Sequence, residues 1–287
     1  MPSRKLAAAA AFIGVCLSQA AAEPPVQRMP GAAPGPTDVQ LAAVRDGQAT
    51  VPARVRREMP DMLASDARAG VRKRIFIKTV LPAILRANAE IRRDRRFLAR
   101  IAGRRIAGEA LDPGARRRLE RLAERYDTQP QDLATLRRRV DIVPPALALA
   151  QAAIESGWGG SRFAQQANAL FGQRVYGCQS CGIKPRGYDS DPGFRVQAFA
   201  TVNACVRSYM ANLNTHSTYR DFRERRRAAR RSGRSLDGHA LAGALTRYSE
   251  RGQTYVRDIR RIIAANDLTE FDTARLARYP VTRHAAR

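Results

Sequence analysis

The chain has 287 residues, and its 51 Lys and Arg outnumber 26 Asp and Glu to give a formal net charge of +25. A surface so basic favours an anionic partner, and beyond the N-terminus no stretch approaches the roughly 18 apolar residues that a membrane-spanning helix needs. The length suits one domain, or one domain with a helical extension.

Residues 1–22 read as a secretory signal. Arg4 and Lys5 precede the apolar run LAAAAAFIGVCL, and SQAAAE follows with Ala20 and Ala22 in an A-x-A arrangement. Val15 directly before Cys16 argues against a lipid-attachment site. An exported chain is expected in the periplasm, or secreted or wall-associated where a cell has no outer membrane. In a cytosolic protein the charge would suggest nucleic acid; export shifts the expectation to a cell-wall polymer or an anionic membrane surface. Residues 23–57 are rich in Pro, Gly and Ala and read as a mobile tether or a lightly packed leader.

A helix is predicted over 68–89, with Val71, Ile75, Val80, Ile84 and Leu85 on a buried face and Pro82 as a bend or break. A second is predicted over 92–106. LDPGARRRLERLAERY starts a third after Asp112, with Pro113 in its first turn and Leu119, Leu122 and Tyr126 as its apolar stripe. DLATLRRRV forms a short fourth. The arginine runs IRRDRRFLARIAGRRI and FRERRRAARRSGR carry apolar residues at helical spacing, so most of their charge is expected on solvated helix faces.

The next helix begins at Pro144-Pro145 and carries Leu147, Ala150, Gln151, Ile154 and Glu155 at offsets of three and four. It delivers Glu155 into the turn Ser156-Gly157-Trp158-Gly159-Gly160. A carboxylate at the end of a buried helix has a raised pKa, so it stays protonated near neutral pH and can hand its proton to a leaving alcohol. Glycosidases use such an acid. Sugar rings combine apolar faces with hydroxyls, and Trp158, Phe171, Tyr248 and Tyr255 with the amides Gln151 and Asn168 supply matching groups. Trp158 and Phe171 also suit the core, Asn168 also suits a turn cap, and Tyr248 is expected to face the cleft.

Without the leader three cysteines remain, Cys178, Cys181 and Cys205. An oxidising compartment permits a disulfide between some pair of them, and Cys178 and Cys181 are near enough along the chain to close a small loop. Free thiols are the alternative. His216 and His239 lack the grouping of a structural zinc site.

The string ALAQAAIESGWGGSRFAQQANALFGQ resembles the endo-β-N-acetylglucosaminidase domain of bacterial cell-wall hydrolases, more narrowly the branch called the Bax protein family. The similarity extends upstream through REMPDMLASDARAGVRKRIFIKTVLPAILRANAEI and RRRVDIVPPALALAQAA, and downstream through SYMANLNTHSTYRDFRERR and LTRYSERGQTYVRDIRRIIAANDL, so that it spans roughly residues 58–270. The resemblance implies a mainly α, lysozyme-like, two-lobed fold with a small, often β-containing segment beside the cleft. It implies hydrolysis of the β-1,4 bond between N-acetylglucosamine and N-acetylmuramic acid, with Glu155 as the acid. The family's tyrosine motif falls on Tyr248-Ser249, with a second aromatic at Tyr255, and its Asn-x-Phe-Gly element falls on Asn168, Phe171 and Gly172. In these terms residues 58–140 form a helical extension, 141–270 the catalytic domain and 271–287 a basic tail.

Glycosidases usually employ a second carboxylate. RGYDSDPGFRVQAF offers Asp189 and Asp191, either of which could be a turn residue. Failing both, the substrate's 2-acetamido oxygen could assist, with Tyr248 stabilising positive charge. A monomer without metal or organic cofactor is expected. A lytic transglycosylase also places Glu-Ser at a helix end, but its usual Gly-Leu-Met-Gln element is absent and NALFGQ stands in its place. A peptidoglycan-binding protein with a degenerate site is the alternative from another class; a nucleic-acid binder would leave both the acid motif and the leader unused.

Overall fold

A computed structural model describes residues 41–64, 68–187 and 191–277; the signal expected at 1–22 and Asp189 lie outside these. The elements in chain order are α1 (Leu41–Arg45), a 3₁₀ turn (Asp61–Leu63), α2 (Ala69–Ile106), α3 (Pro113–Arg125), α4 (Leu133–Arg139), α5 (Pro145–Ser156), α6 (Arg162–Ala167), β1 (Arg174–Tyr176), β2 (Gly182–Ile183), β3 (Phe194–Gln197), α7 (Val202–Thr215), a 3₁₀ turn (Ser217–Tyr219), α8 (Arg220–Arg231), α9 (Gly238–Ala242), α10 (Gln253–Ala265) and a 3₁₀ segment (Leu268–Thr273). The result is a mainly helical molecule with a small sheet beside the helices, consistent with the lysozyme-like expectation.

The helices expected over 68–89 and 92–106 are one 38-residue helix, α2. Proline has no N–H for the helical ladder, yet Pro82 lies within a run from Thr79 to Leu85 that is buried throughout. Burying that run against α5 and α7 outweighs the local penalty. Side-chain caps start several of the shorter helices. Asp112 accepts from the Ala115 N–H at 2.8 Å to open α3, and Asp132 accepts from Thr135 at 2.8 Å to open α4.

α5 is the centre of the molecule. It was expected to bury one face, but only Ile154 and Glu155 among its residues retain partial exposure. α2, α9, α10 and the 3₁₀ segment at Leu268–Thr273 surround it, and its alanines admit their close approach. Its start is pinned from two sides. Asn88 of α2 donates to the Val143 carbonyl at 2.7 Å and accepts from the Val143 N–H at 3.2 Å. Asp272 accepts from the Ala146 N–H at 2.8 Å, at the positive end of the helix.

Both ends of the described chain are better packed than their composition implies. Val44 and Val51 of the expected leader are buried, and Val51 pairs with Leu276 in an isolated parallel bridge. Phe271 is buried and Asp272 holds α5, so the basic tail expected from 271 begins with residues that belong to the core.

The sheet has strand order β1-β3-β2, antiparallel throughout, with Tyr176 opposite Phe194 and Ile183 opposite Val196. Cys178 and Cys181 form a disulfide across the β1–β2 connection, whereas Cys205 is a buried free thiol on α7.

The arginine runs are only partly solvated faces. Arg226 is fully buried in α8 and donates to the carbonyls of Arg138, Asp141 and Ile142 at 3.0–3.1 Å; Arg223 is buried beside it and donates to those of Leu213 and His216. Arg95, from the other run, donates to the carbonyls of Arg137 and Val140. A guanidinium carries five donors and can satisfy several loop carbonyls at once, a use that residue spacing does not reveal.

Candidate active site

α5 ends in a turn that aims Glu155. Ser156 Oγ donates to the Ala152 carbonyl at 2.5 Å and accepts from the Gly159 N–H at 2.9 Å, folding the chain back on the helix. Gly159 has φ +80°, and a Cβ there would stand 2.7 Å from the Met59 methyl and 2.9 Å from Leu63. Only glycine fits that contact. Trp158, at φ +57°, packs edge-on to Phe76 of α2 with ring centroids 5.5 Å apart, and the Lys73 ammonium lies 5.2 Å from its ring centre. Half-buried, it joins the turn to the core and keeps some exposed area.

Glu155 is half-buried and accepts a 2.8 Å hydrogen bond at Oε1 from Tyr255 of α10. Behind it the hydrogen bonds run in one direction: Tyr209 of α7 donates to Gln151 Oε1 at 2.7 Å, and Gln151 Nε2 donates to the Tyr255 hydroxyl oxygen at 3.1 Å. The chain of donors ends on the carboxyl group. On the other side, a Cβ at Gly172 (φ +66°) would lie 3.2 Å from Glu155 Oε2, so a side chain there would crowd the acid.

Burial pushes the Glu155 pKa up to about 7; the Tyr255 hydrogen bond and the positive charge of Arg251 oppose part of that rise. The group is therefore substantially protonated at neutral pH while retaining enough exposure to meet a substrate. That is the protonation state a general acid requires.

The sequence-predicted partners gather around Glu155, but mostly beneath it. Gln151, Phe171, Tyr248 and Tyr255 are at most 1% exposed, so they support the acid instead of forming a sugar-stacking wall. Tyr248, expected to face the cleft, donates its hydroxyl to the Phe171 carbonyl at 3.2 Å and stacks on Tyr255 with centroids 5.4 Å apart. Phe171 stacks on Tyr209 at 3.8 Å. Buried phenols need such partners, and here their hydroxyls tie α5, α7 and the Phe171 loop together. Asn168, at φ +51°, ends α6, accepts from the Met59 N–H at 3.2 Å and donates to the Phe199 carbonyl at 3.0 Å. It positions three backbone segments.

Asp191 takes its hydrogen bonds and ion pair from residues outside this group. It is exposed, ion-paired to Arg195 at 2.9 Å, and accepts from the Gly193 N–H at 3.1 Å. Hydrogen bonding from Arg195 and then from Gly193 holds its pKa down to about 2. A carboxylate so stabilised is a weak base, and the geometry is that of a turn residue.

Tyr209 was missed in the sequence. It lies on the stripe Val202, Cys205, Val206, Tyr209, Met210 and Leu213, which reads as ordinary core spacing. The phenol on that stripe was the available signal, since a buried hydroxyl implies a polar partner.

Residues 131–268 match the family described as mannosyl-glycoprotein endo-beta-N-acetylglucosaminidase. The chain is also 33% identical over 210 residues to Protein bax of Escherichia coli (strain K12), an alignment covering 68% of this chain and 72% of that protein. No solved structure gives a significant match. With the family match including α5 and its acid, and the similarity to Protein bax covering most of both chains, the chain belongs to the Bax-like branch of the glucosaminidase family, a peptidoglycan-related glycosidase group.

Proposed function

We propose that the protein is an exported peptidoglycan hydrolase, an endo-β-N-acetylglucosaminidase that cleaves the β-1,4 bond between N-acetylglucosamine and N-acetylmuramic acid. The observation that carries this is Glu155 itself: a half-buried carboxyl at the end of the central helix, oriented by Tyr255, with its pKa raised to about 7. In this reading residues 141–270 are the catalytic unit and 58–140 an extension packed on it, with the leader directing export to the periplasm or cell surface.

The glycan strand lies over Glu155, which donates its proton to the glycosidic oxygen as the bond to the N-acetylglucosamine anomeric carbon breaks. Asp191 is held as a weak base by Arg195, so we assign the attack to the substrate's own acetamido oxygen. Water then opens the cyclic intermediate and returns a proton to the Glu155 carboxylate. The buried Tyr209–Gln151–Tyr255 chain keeps the carboxyl in one orientation through both steps, a contribution that grows where the environment is dry and already ordered.

The test is digestion of purified peptidoglycan with the protein and with Glu155→Gln, followed by borohydride reduction and mass spectrometry. Reduced N-acetylglucosamine ends formed only by the unmutated protein are expected. Non-reducible anhydromuramyl ends would make it a lytic transglycosylase, and binding without soluble products would make it a wall-binding protein.

A further inference from the structure

Asp141, between α4 and α5, is 2% exposed and meets Arg230 at 3.1 Å, Arg95 at 3.2 Å and Arg226 at 3.8 Å. Arg92, half-buried on the same side of α2, adds a further guanidinium to its field. Burial lowers the Arg92 pKa, as does the charge of Arg230, while Asp141 raises it. Among the described residues one carboxylate thus stands against four arginines, and positive charge is left over around a buried centre.

A cavity of about 240 Å³ adjoins this cluster, lined by Arg95, Arg96, Leu98, Ala99 and Arg137. Arg96 and Arg137 are exposed and have no side-chain hydrogen bond or ion pair among the described residues. Arg95 is fixed by Asp141 and by the carbonyls of Arg137 and Val140. Among the described residues no carboxylate lines the cavity. The neighbouring cavity between α2 and α3 differs on this point, since Asp112 lines it and pairs with Arg104 at 3.5 Å.

We propose that the cavity between α2 and α4 is a phosphate-binding site, in which Arg96 and Arg137 hold the anion and Arg95, locked to Asp141, forms its charged floor. A planar guanidinium matches phosphate oxygens two at a time, and a dianion neutralises a surplus of more than one charge better than a carboxylate does. Leu98 and Ala99 give one apolar side, which suits a phosphate carried on a carbon body. Arg96 lies twenty residues along α2 from Phe76, the contact of Trp158, or roughly 30 Å at 1.5 Å per residue. A phosphate bound there would hold the protein to its source without covering Glu155. The site does not depend on the glycosidase reading.

The test uses the full chain at constant ionic strength. Inorganic phosphate and acetate are titrated by calorimetry, and sedimentation is measured with vesicles of phosphatidylcholine with phosphatidic acid, a phosphomonoester, or of phosphatidylcholine alone. The variants are Arg96→Ala/Arg137→Ala and, as a charge-matched control, Arg54→Ala/Arg56→Ala at exposed positions elsewhere. Phosphate binding weakened at least tenfold by the first pair and less than twofold by the control is the expected result. Phosphatidic acid vesicles that lose binding with the same pair would identify a lipid headgroup as the source; vesicle binding indifferent to the pair, with phosphate binding still sensitive, would identify a soluble phosphate. Equal losses in both variants, acetate binding as tight as phosphate, or no phosphate binding at all would overturn the site. Glu155→Gln should bind phosphate normally, so failure of the enzymatic reading would not be mistaken for failure of this one.

Discussion

Two carboxylates bracket α5, and their surroundings assign them opposite work. Asp141 precedes the helix and is enclosed by Arg95, Arg226 and Arg230; Glu155, near its other end, is met by a phenol, with Arg251 acting only through its field. A carboxylate surrounded by guanidinium groups is tied into ion pairs and organises the chain, whereas one surrounded by apolar bulk and a hydroxyl acquires a proton it can give away. Burial alone does not separate a structural acid from a chemical one. The type of partner does.

The largest expected effect comes from removing the structural acid. Asp141→Ala leaves the fully buried Arg226 without its carboxylate, and breaking a buried pair in this way costs about 3–5 kcal/mol. Urea denaturation should show that loss, and a cost below 1 kcal/mol would mean that the backbone carbonyls around Arg226 suffice without the aspartate.

Glu155→Gln should do the reverse. The Glu155 pKa rises on folding from 4.5 to about 7. Its contribution to stability is thus fully present below pH 4.5 and is lost as pH rises through 7. The amide has no charge to bury, so the variant should be more stable than the parent at pH 8 by up to about 3 kcal/mol, with the difference vanishing near pH 4, while activity falls about 10²–10⁴-fold. Equal stability of the two proteins at pH 8 and pH 4 would place Glu155 in ordinary solvent.

Gln151→Leu removes the link between Tyr209 and Tyr255 and leaves two buried phenols short of a partner. A loss of about 1–3 kcal/mol in thermal or chemical unfolding follows. The smallest effect is a displacement on the pH axis. Tyr255 holds the Glu155 pKa down, so Tyr255→Phe should move the alkaline limb of the pH–activity profile upward, by about one unit or less. A downward movement would show that the phenol acts on Glu155 in some other way.

α5 and its acid were legible because their signals are local. Pro144-Pro145 starts the helix, Gly157 leaves it at φ +57°, and Glu155 stands where the turn begins. The tyrosines were legible as a set but not as a wall or a foundation: Tyr248 and Tyr255 were expected to meet sugar, and both lie under the acid. Tyr209 joins them from α7, fifty-eight residues from its partner Gln151. Its spacing among apolar neighbours could not announce that contact.

Local residues were enough to read the succession of helices, the starts of α3 at Asp112 and of α5 at Pro144-Pro145, the placement of Glu155 at the end of a buried helix and the resemblance that runs through it, because each of these depends on residues within a few turns of one another. Long-range packing sets the rest: α2 continues through Pro82, Arg226 is buried, Asp141 and Asp272 hold the approach to α5, and Gln151 faces two phenols. In each case a contact from a distant part of the chain supplies the free energy that the local sequence lacks: burial offsets the missing hydrogen bond of a proline, backbone carbonyls and a carboxylate solvate a guanidinium, and a dry enclosure raises the pKa of an acid.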